Sequence, residues 1–339
     1  MSTLQQIARR MSSTAPADSD TTAPFAGFWR RVAAFLVDGL ILGLVGYALG
    51  LAFFDAFVRM GPWGRLVGFV VALAYFVPQE SVPGGGQSLG KRLLGIRVVD
   101  AQGRPLSPAR GIVRFVVFGV PYFLNGAALP MNVATFAGGF PLALLALGGM
   151  LALAYLLVFN RRTRQSLHDL AVRAFVVRVR EGTRLAPGPA RTWGGHRAVA
   201  GGLVMLAGAT PLMFPALMRI PMFADLQVLY LHLAEQPELR SVNVFDSVGR
   251  VYGTQFVGVR HELVIQATIA QPLADYVPLS TRLAGIALKV YPNAVRENQI
   301  VVRLAHGYDI GIASSWSAND LALTPAQWAD RVSAGLDNN

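Results

Sequence analysis

The sequence predicts an integral membrane bundle of α-helices, four spans and then a fifth, followed by an external α+β domain. Three observations carry this reading. Only 14% of the 339 residues are charged and 53% are hydrophobic, whereas a soluble domain carries about 25% charged residues. Apolar runs of membrane-compatible length follow one another between residues 32 and 217. The charge is also lopsided: residues 1–218 hold 21 Lys/Arg against 8 Asp/Glu, and residues 219–339 hold 9 against 11.

In chain order, residues 1–24 are rich in Ser, Thr, Ala and Asp and read as a disordered cytoplasmic tail. No apolar h-region opens the chain, so no cleavable signal peptide is expected. The spans are placed at 32–54, 63–78, 111–129 and 133–159. In the second, Trp63 sits at the interface and Arg65 snorkels; Pro121 marks a kink in the third. A basic linker at 181–197 leads to the fifth helix, 198–217. Beyond it, Ser241–Phe245, Glu262–Ile269 and Gln299–Leu304 read as strands. Leu283, Ala284, Ala287 and Leu288 share a helical face, and Thr324-Pro325-Ala326-Gln327 has the order of a capping box. Residues 218–339 are enough for one core.

Orientation follows from the loops. With the N-terminus in the cytoplasm, the cytoplasmic segments hold 19 Lys/Arg and the short external loops hold only Arg59 and Arg65. Residues 218–339 then lie outside. The basic residues read as topology signals and contacts to anionic headgroups, not as a nucleic-acid surface.

Several chemistries are excluded. Cysteine is absent and the five His share no metal-ligand spacing. Gly85 through Lys91 fits G-x-x-x-x-G-K, but Arg92 stands where a phosphate loop needs Ser or Thr, and the segment follows a membrane helix. It reads instead as a cytoplasmic turn leading into a basic amphipathic segment. Leu93, Leu94, Ile96, Val98 and Val99 would rest on the membrane or another cytoplasmic segment, and Lys91, Arg92 and Arg97 would reach headgroups. His168-Asp169 lacks the further ligands of a metal hydrolase. In the external part no catalytic triad or carboxylate pair stands out, and Trp316 and Trp328 read as packing residues. Neither an enzyme nor a cofactor is expected.

The sharpest feature is Asp38, seven residues after Arg31 and on nearly the same helical face. An ionised carboxylate about 10 Å into a membrane helix costs at least about 2.5 kcal/mol unless paired or hydrated. It therefore marks a proton or cation site, or a structural pair with Arg31 or Arg114. Few other polar groups, chiefly Asn125 and Thr135, line the spans. Asp169 is expected to pair with an Arg of the cytoplasmic rim, Arg31 first. Gly39, Gly43, Gly46 and Gly50 have the spacing of a helix-docking face, for a partner or a second copy.

Three stretches together resemble the RDD family of bacterial membrane proteins: FWRRVAAFLVD (Phe28–Asp38), GGGQSLGKRLLGIRVVDAQGRPLS (Gly84–Ser107) and NRRTRQSLHDLAVRAFVV (Asn160–Val177). The resemblance covers about residues 25–180 and would make Arg31, Asp38 and Asp169 the family's name residues. Ser88-Leu89 departs from a frequent Thr-Pro, and Ala174 from an expected Thr. The resemblance implies a multi-pass protein of the bacterial cytoplasmic membrane. Two functions fit it: a scaffold or accessory subunit whose external domain engages an envelope protein, and a proton- or cation-coupled transporter using Asp38.

Overall fold

The structure, a computed structural model, describes residues 25–126, 136–179, 186, 192–252 and 257–336. Helix α1 (Phe28–Met60) is broken at Phe53, where φ is −130° and ψ 28°. A turn at Gly61–Trp63 leads into α2 (Gly64–Gln79). The short α3 (Leu89–Leu93) and strand β1 (Ile96–Val99) precede α4 (Pro108–Leu124). Helix α5 (Phe136–Ala143) runs through a π turn at Leu144–Gly148 into α6 (Gly149–Phe159). Then come α7 (Leu167–Ala171), β2 (Phe175–Arg178) and α8 (Gly194–Gly208). Among the described residues three helical stretches are long and apolar enough to cross a membrane: Phe28–Gln79, Gly139–Phe159 and Gly194–Leu217. The first has 52 residues, over twice what one crossing needs. The Tyr75 hydroxyl bonds Asp38, so α2 returns alongside α1.

The predicted fifth span is shorter as an α-helix than expected. After Gly208 the chain tightens into a 3₁₀ turn at Thr210–Met213, where Pro211 removes a backbone donor, and then into α9 (Phe214–Leu217). Helix α10 (Pro221–Ala234) follows. The third predicted span begins and ends earlier than expected, and residues 127–135, including Thr135, lie outside the described residues.

The chain divides into two compact units that do not follow the predicted boundary. One comprises residues 1–40, 73–121 and 149–204, the other 41–72, 122–148 and 205–339. In the first, β1 and β2 pair antiparallel, Ile96 opposite Arg178 and Val99 opposite Phe175. The Gly-rich stretch thus does not lie flat on headgroups. Ile96 and Val98 are fully buried with Leu106, Val172, Ala174 and Val176, the second of the two placements expected for them.

The second unit holds a four-stranded sheet in the order β3 (Leu239–Tyr252), β4 (Val257–Ile269), β5 (Gln299–Asp309), β6 (Ser314–Leu323). β4 and β5 are parallel, which requires a crossover; α11 (Val277–Val290) supplies it. Leu229 and Leu233 of α10, Leu283, Ala284 and Ala287 of α11 and Trp328 of α12 (Pro325–Leu336) bury against Leu263, Ile265, Ile300 and Val302. Each such large apolar side chain contributes about 1.5–3 kcal/mol by leaving water. Trp328 packs as expected and donates its indole N–H to the Ile300 carbonyl at 2.9 Å, while Trp316 is half exposed. The capping box at Thr324 and Gln327 is formed in both directions.

Candidate functional site

The charged residues singled out in the sequence fall into two groups in the first unit. Asp38 has no exposed surface. Its Oδ2 accepts from the Ser88 hydroxyl at 2.6 Å; its Oδ1 accepts from the Tyr75 hydroxyl at 2.7 Å and the Gly90 N–H at 2.8 Å. Asp38 therefore pairs with neither Arg31 nor Arg114, contrary to expectation. Hydroxyls and a backbone amide from the Gly-rich turn satisfy it, neutral donors that a search for basic partners overlooks.

The turn's glycines make this possible. Gly86 has φ +80°, and a Cβ there would run into the Val98 carbonyl. A Cβ on Gly90 would meet the Ala34 carbonyl and lie 3.0 Å from the Asp38 carboxyl carbon. Ser88 caps α3 and accepts from the Lys91 N–H. The glycine run brings a loop onto a helix, not onto a phosphate.

The second group surrounds Asp169, which also has no exposed surface. It sits in α7 behind the cap Ser166. Arg114 donates to its Oδ1 from Nε at 3.0 Å and Nη2 at 2.8 Å, and Arg31 donates to Oδ2. Arg31 also reaches the Arg164 carbonyl. Arg114 turns its remaining nitrogen to Glu80, which Lys91 binds from the other side. Lys91 is thus paired with a buried carboxylate, and 14% of its side chain stays accessible. Glu80 was not singled out in the sequence; it lies two residues past the end of the second apolar run.

Burial by itself would raise the Asp169 and Glu80 pKa values. For Asp169 the Arg31 and Arg114 guanidinium groups outweigh it; for Glu80, Lys91 and Arg114 do. Both carboxyls are held below their usual range. His168 is the reverse: burial and the two guanidinium ions push it down to about 3, against the pull of Asp169. At neutral pH the ring is uncharged, and the cations holding Asp169 ionised are the guanidinium groups. His168 Nε2 lies 3.3 Å from Asp169 Oδ1. That contact suits an Nε2–H tautomer.

The two groups connect. Lys91 Nζ lies 3.4 Å from Ser88 Oγ, which bonds Asp38. A continuous run of polar contacts therefore leads from Arg31 through Asp169, Arg114, Glu80, Lys91 and Ser88 to Asp38. Among the described residues no three His, Asp or Glu are grouped to hold a metal.

With this geometry in view, the comparison with known families is decisive for one part of the chain. Residues 25–173 match the model of the RDD family. This stretch is similar to the RDD family. It contains all of Arg31, Asp38, Lys91, Arg114, Asn125, His168 and Asp169. No curated protein and no solved structure gives a significant match.

Asn125 falls in the second compact unit, where its backbone carbonyl is used. It accepts from Arg65 at 2.6 Å, and Arg65 also donates to Asp309 at 3.1 Å and 2.5 Å. This contact belongs to a larger one. The β5–β6 turn lies against α1 and α2. A Cβ on Gly46 would be 2.8 Å from the Ala313 Cβ, and one on Gly64 3.2 Å from the Asp309 carbonyl. On Gly50 it would meet the Tyr308 hydroxyl, and on Gly68 the Ile310 carbonyl. Tyr308 and Ile310 are buried here with Phe57 and Val58. The glycine face read as open for helix docking is thus largely taken by this chain's own hairpin; of the four, only Gly39 has nothing within 4 Å.

Proposed function

We propose that the protein is a scaffold or accessory subunit of the bacterial cytoplasmic membrane. Its RDD-like region, built from four spans with a fifth beyond, holds the C-terminal α+β domain at the extracytoplasmic surface. There that domain engages an envelope protein. The observation that carries this reading is the seat of residues 308–313 on Gly46, Gly50, Gly64 and Gly68. A domain tethered only by a flexible linker would need no such seat. A domain that must present a fixed surface to a partner does.

Transport through Asp38 has less support. A site on a conduction path needs water or exchangeable ligands, whereas Asp38 is fully buried with three short hydrogen bonds. The test is gentle detergent extraction of the full chain from native membranes, followed by co-purification and mass spectrometry. Wild type is run beside Gly50→Val, which unseats the hairpin. A stoichiometric envelope protein that accompanies wild type and is lost from Gly50→Val supports the scaffold. A chain that purifies without any partner from both, together with cation-driven proton flux in liposomes, would overturn it.

A further inference from the structure

We propose that the first compact unit holds one acyl chain of an acidic lipid in a cavity between α1, α2, α4 and α6. The lipid headgroup would lie against Arg31, Lys91 and Arg114. The cavity has a volume of about 270 Å³. Phe35, Phe115, Phe118, Met150, Leu153 and Leu157 form its apolar wall. The space equals the liquid share of roughly nine waters, yet these walls offer water no hydrogen-bond partners. An apolar occupant is favoured over a wet cavity. The volume is also below the roughly 300 Å³ at which pockets for drug-sized ligands begin.

The opposite end of the cavity chooses the headgroup. The charged residues lining it are Arg31, Lys91, Arg114 and the single carboxylate Glu80. Asp169 binds the two arginines from behind and has no surface of its own. His168 also lines the cavity and is neutral at pH 7. The face presented to a ligand is therefore cationic. The Arg31 and Lys91 side chains keep 9% and 14% of their surface accessible, and the Lys91 ammonium lies 5.6 Å from the Phe76 ring centre. It stands where the wall changes from charged to aromatic, the place an acid group at the end of a chain would occupy.

The shared chemistry is an acyl chain ending in an acid, from a bilayer phospholipid or a free fatty acid. The full-length protein is placed in phosphatidylcholine nanodiscs with one of three probes carrying a diazirine in the chain: phosphatidylglycerol, phosphatidylcholine or palmitate. After illumination, adducts are mapped by peptide mass spectrometry. Adducts are expected on segments 115–118 and 150–157, and lost in Ala154→Phe, which fills the cavity. Lys91→Gln should lower the acidic-probe yield about fivefold, the effect of about 1 kcal/mol per lysine near a lipid surface, and Lys91→Arg should restore it. This second pair decides the matter if Ala154→Phe does not fold. Labelling by phosphatidylglycerol alone identifies a phospholipid, by palmitate alone a fatty acid, and by both a site that reads only the acid. No adducts there, equal yield from the phosphatidylcholine probe, or adducts unchanged in a folded Ala154→Phe and in Lys91→Gln would overturn the proposal.

Discussion

Asp169→Asn is the most informative single change. It keeps shape and removes one charge from a site with no exposed surface. Arg31 and Arg114 then face a neutral amide. Breaking a buried pair from one side costs about 3–5 kcal/mol, because the remaining charge is left uncompensated. Arg114 retains Glu80 and Arg31 retains the Arg164 carbonyl, so the lower end, about 3 kcal/mol, is the better figure. At about 2–4 °C per kcal/mol for a domain of this size, the melting temperature in mild detergent at pH 7 should fall by roughly 6–12 °C. The control is the set Arg31→Met, Arg114→Met and Asp169→Leu, which removes the charges together and should recover much of the loss. A fall of under about 2 °C in Asp169→Asn would refute the reasoning, since the site would then contribute no more than a surface ion pair.

The pH dependence has a different origin. Unfolded, His168 takes its proton near 6.5; folded, near 3. Between these values the unfolded chain binds more protons, so stability falls as pH drops below 6.5, by at most about 1.4 kcal/mol per pH unit. His168→Phe should flatten the melting curve against pH between 6.5 and 5; parallel curves for the two proteins would count against it. Asp38→Asn replaces one accepting oxygen with a donating NH2 beside Ser88 or beside Tyr75 and Gly90 and should cost about 1–3 kcal/mol, with faster hydrogen exchange across residues 84–94; unchanged exchange there contradicts a role for Asp38 in holding the Gly-rich turn. Gly68→Leu should expose the amides of residues 308–314 to exchange while Gly39→Leu leaves them protected, and equal protection in both would mean the hairpin is not seated on the glycines.

The apolar runs, three of the four C-terminal strands and the last helix were legible because each rests on local periodicity or capping, whereas β6 was missed because it is exposed along nearly its whole length and shows no alternation. The helix ends were less so: Pro211 and Pro215 end the regular part of the fifth run early, through backbone chemistry that hydropathy does not weigh. Arg31 and Asp169 could be paired in advance because two opposite charges in apolar surroundings leave few alternatives. Asp38 could not, since its partners Ser88, Tyr75 and the Gly90 amide are neutral and carry no signal at a distance in sequence. The glycine spacing on α1 was visible, but small residues say only that something approaches closely. That it is residues 308–313, over 250 positions away, depends on the tertiary fold.

The run of contacts from Arg31 to Asp38 explains why the same helix needs both. The two residues stand about 10 Å apart along α1, and each fixes a different segment to it: Arg31 holds the α7 turn through Asp169, Asp38 holds the Gly-rich turn through Ser88 and Gly90. Glu80, Lys91 and Arg114 join those segments to each other and to the ends of α2 and α4. A bundle of apolar helices has little to fix the relative height of its members, because lipid solvates their faces as well as neighbours do. Buried charges at one end do fix it, since any slip leaves a charge unpaired at a cost of several kcal/mol. Arg31, Asp38 and Asp169 thus fix register, and a function built on this region is to be sought in what that register holds in place: the cavity beside Lys91 and the seat of the hairpin.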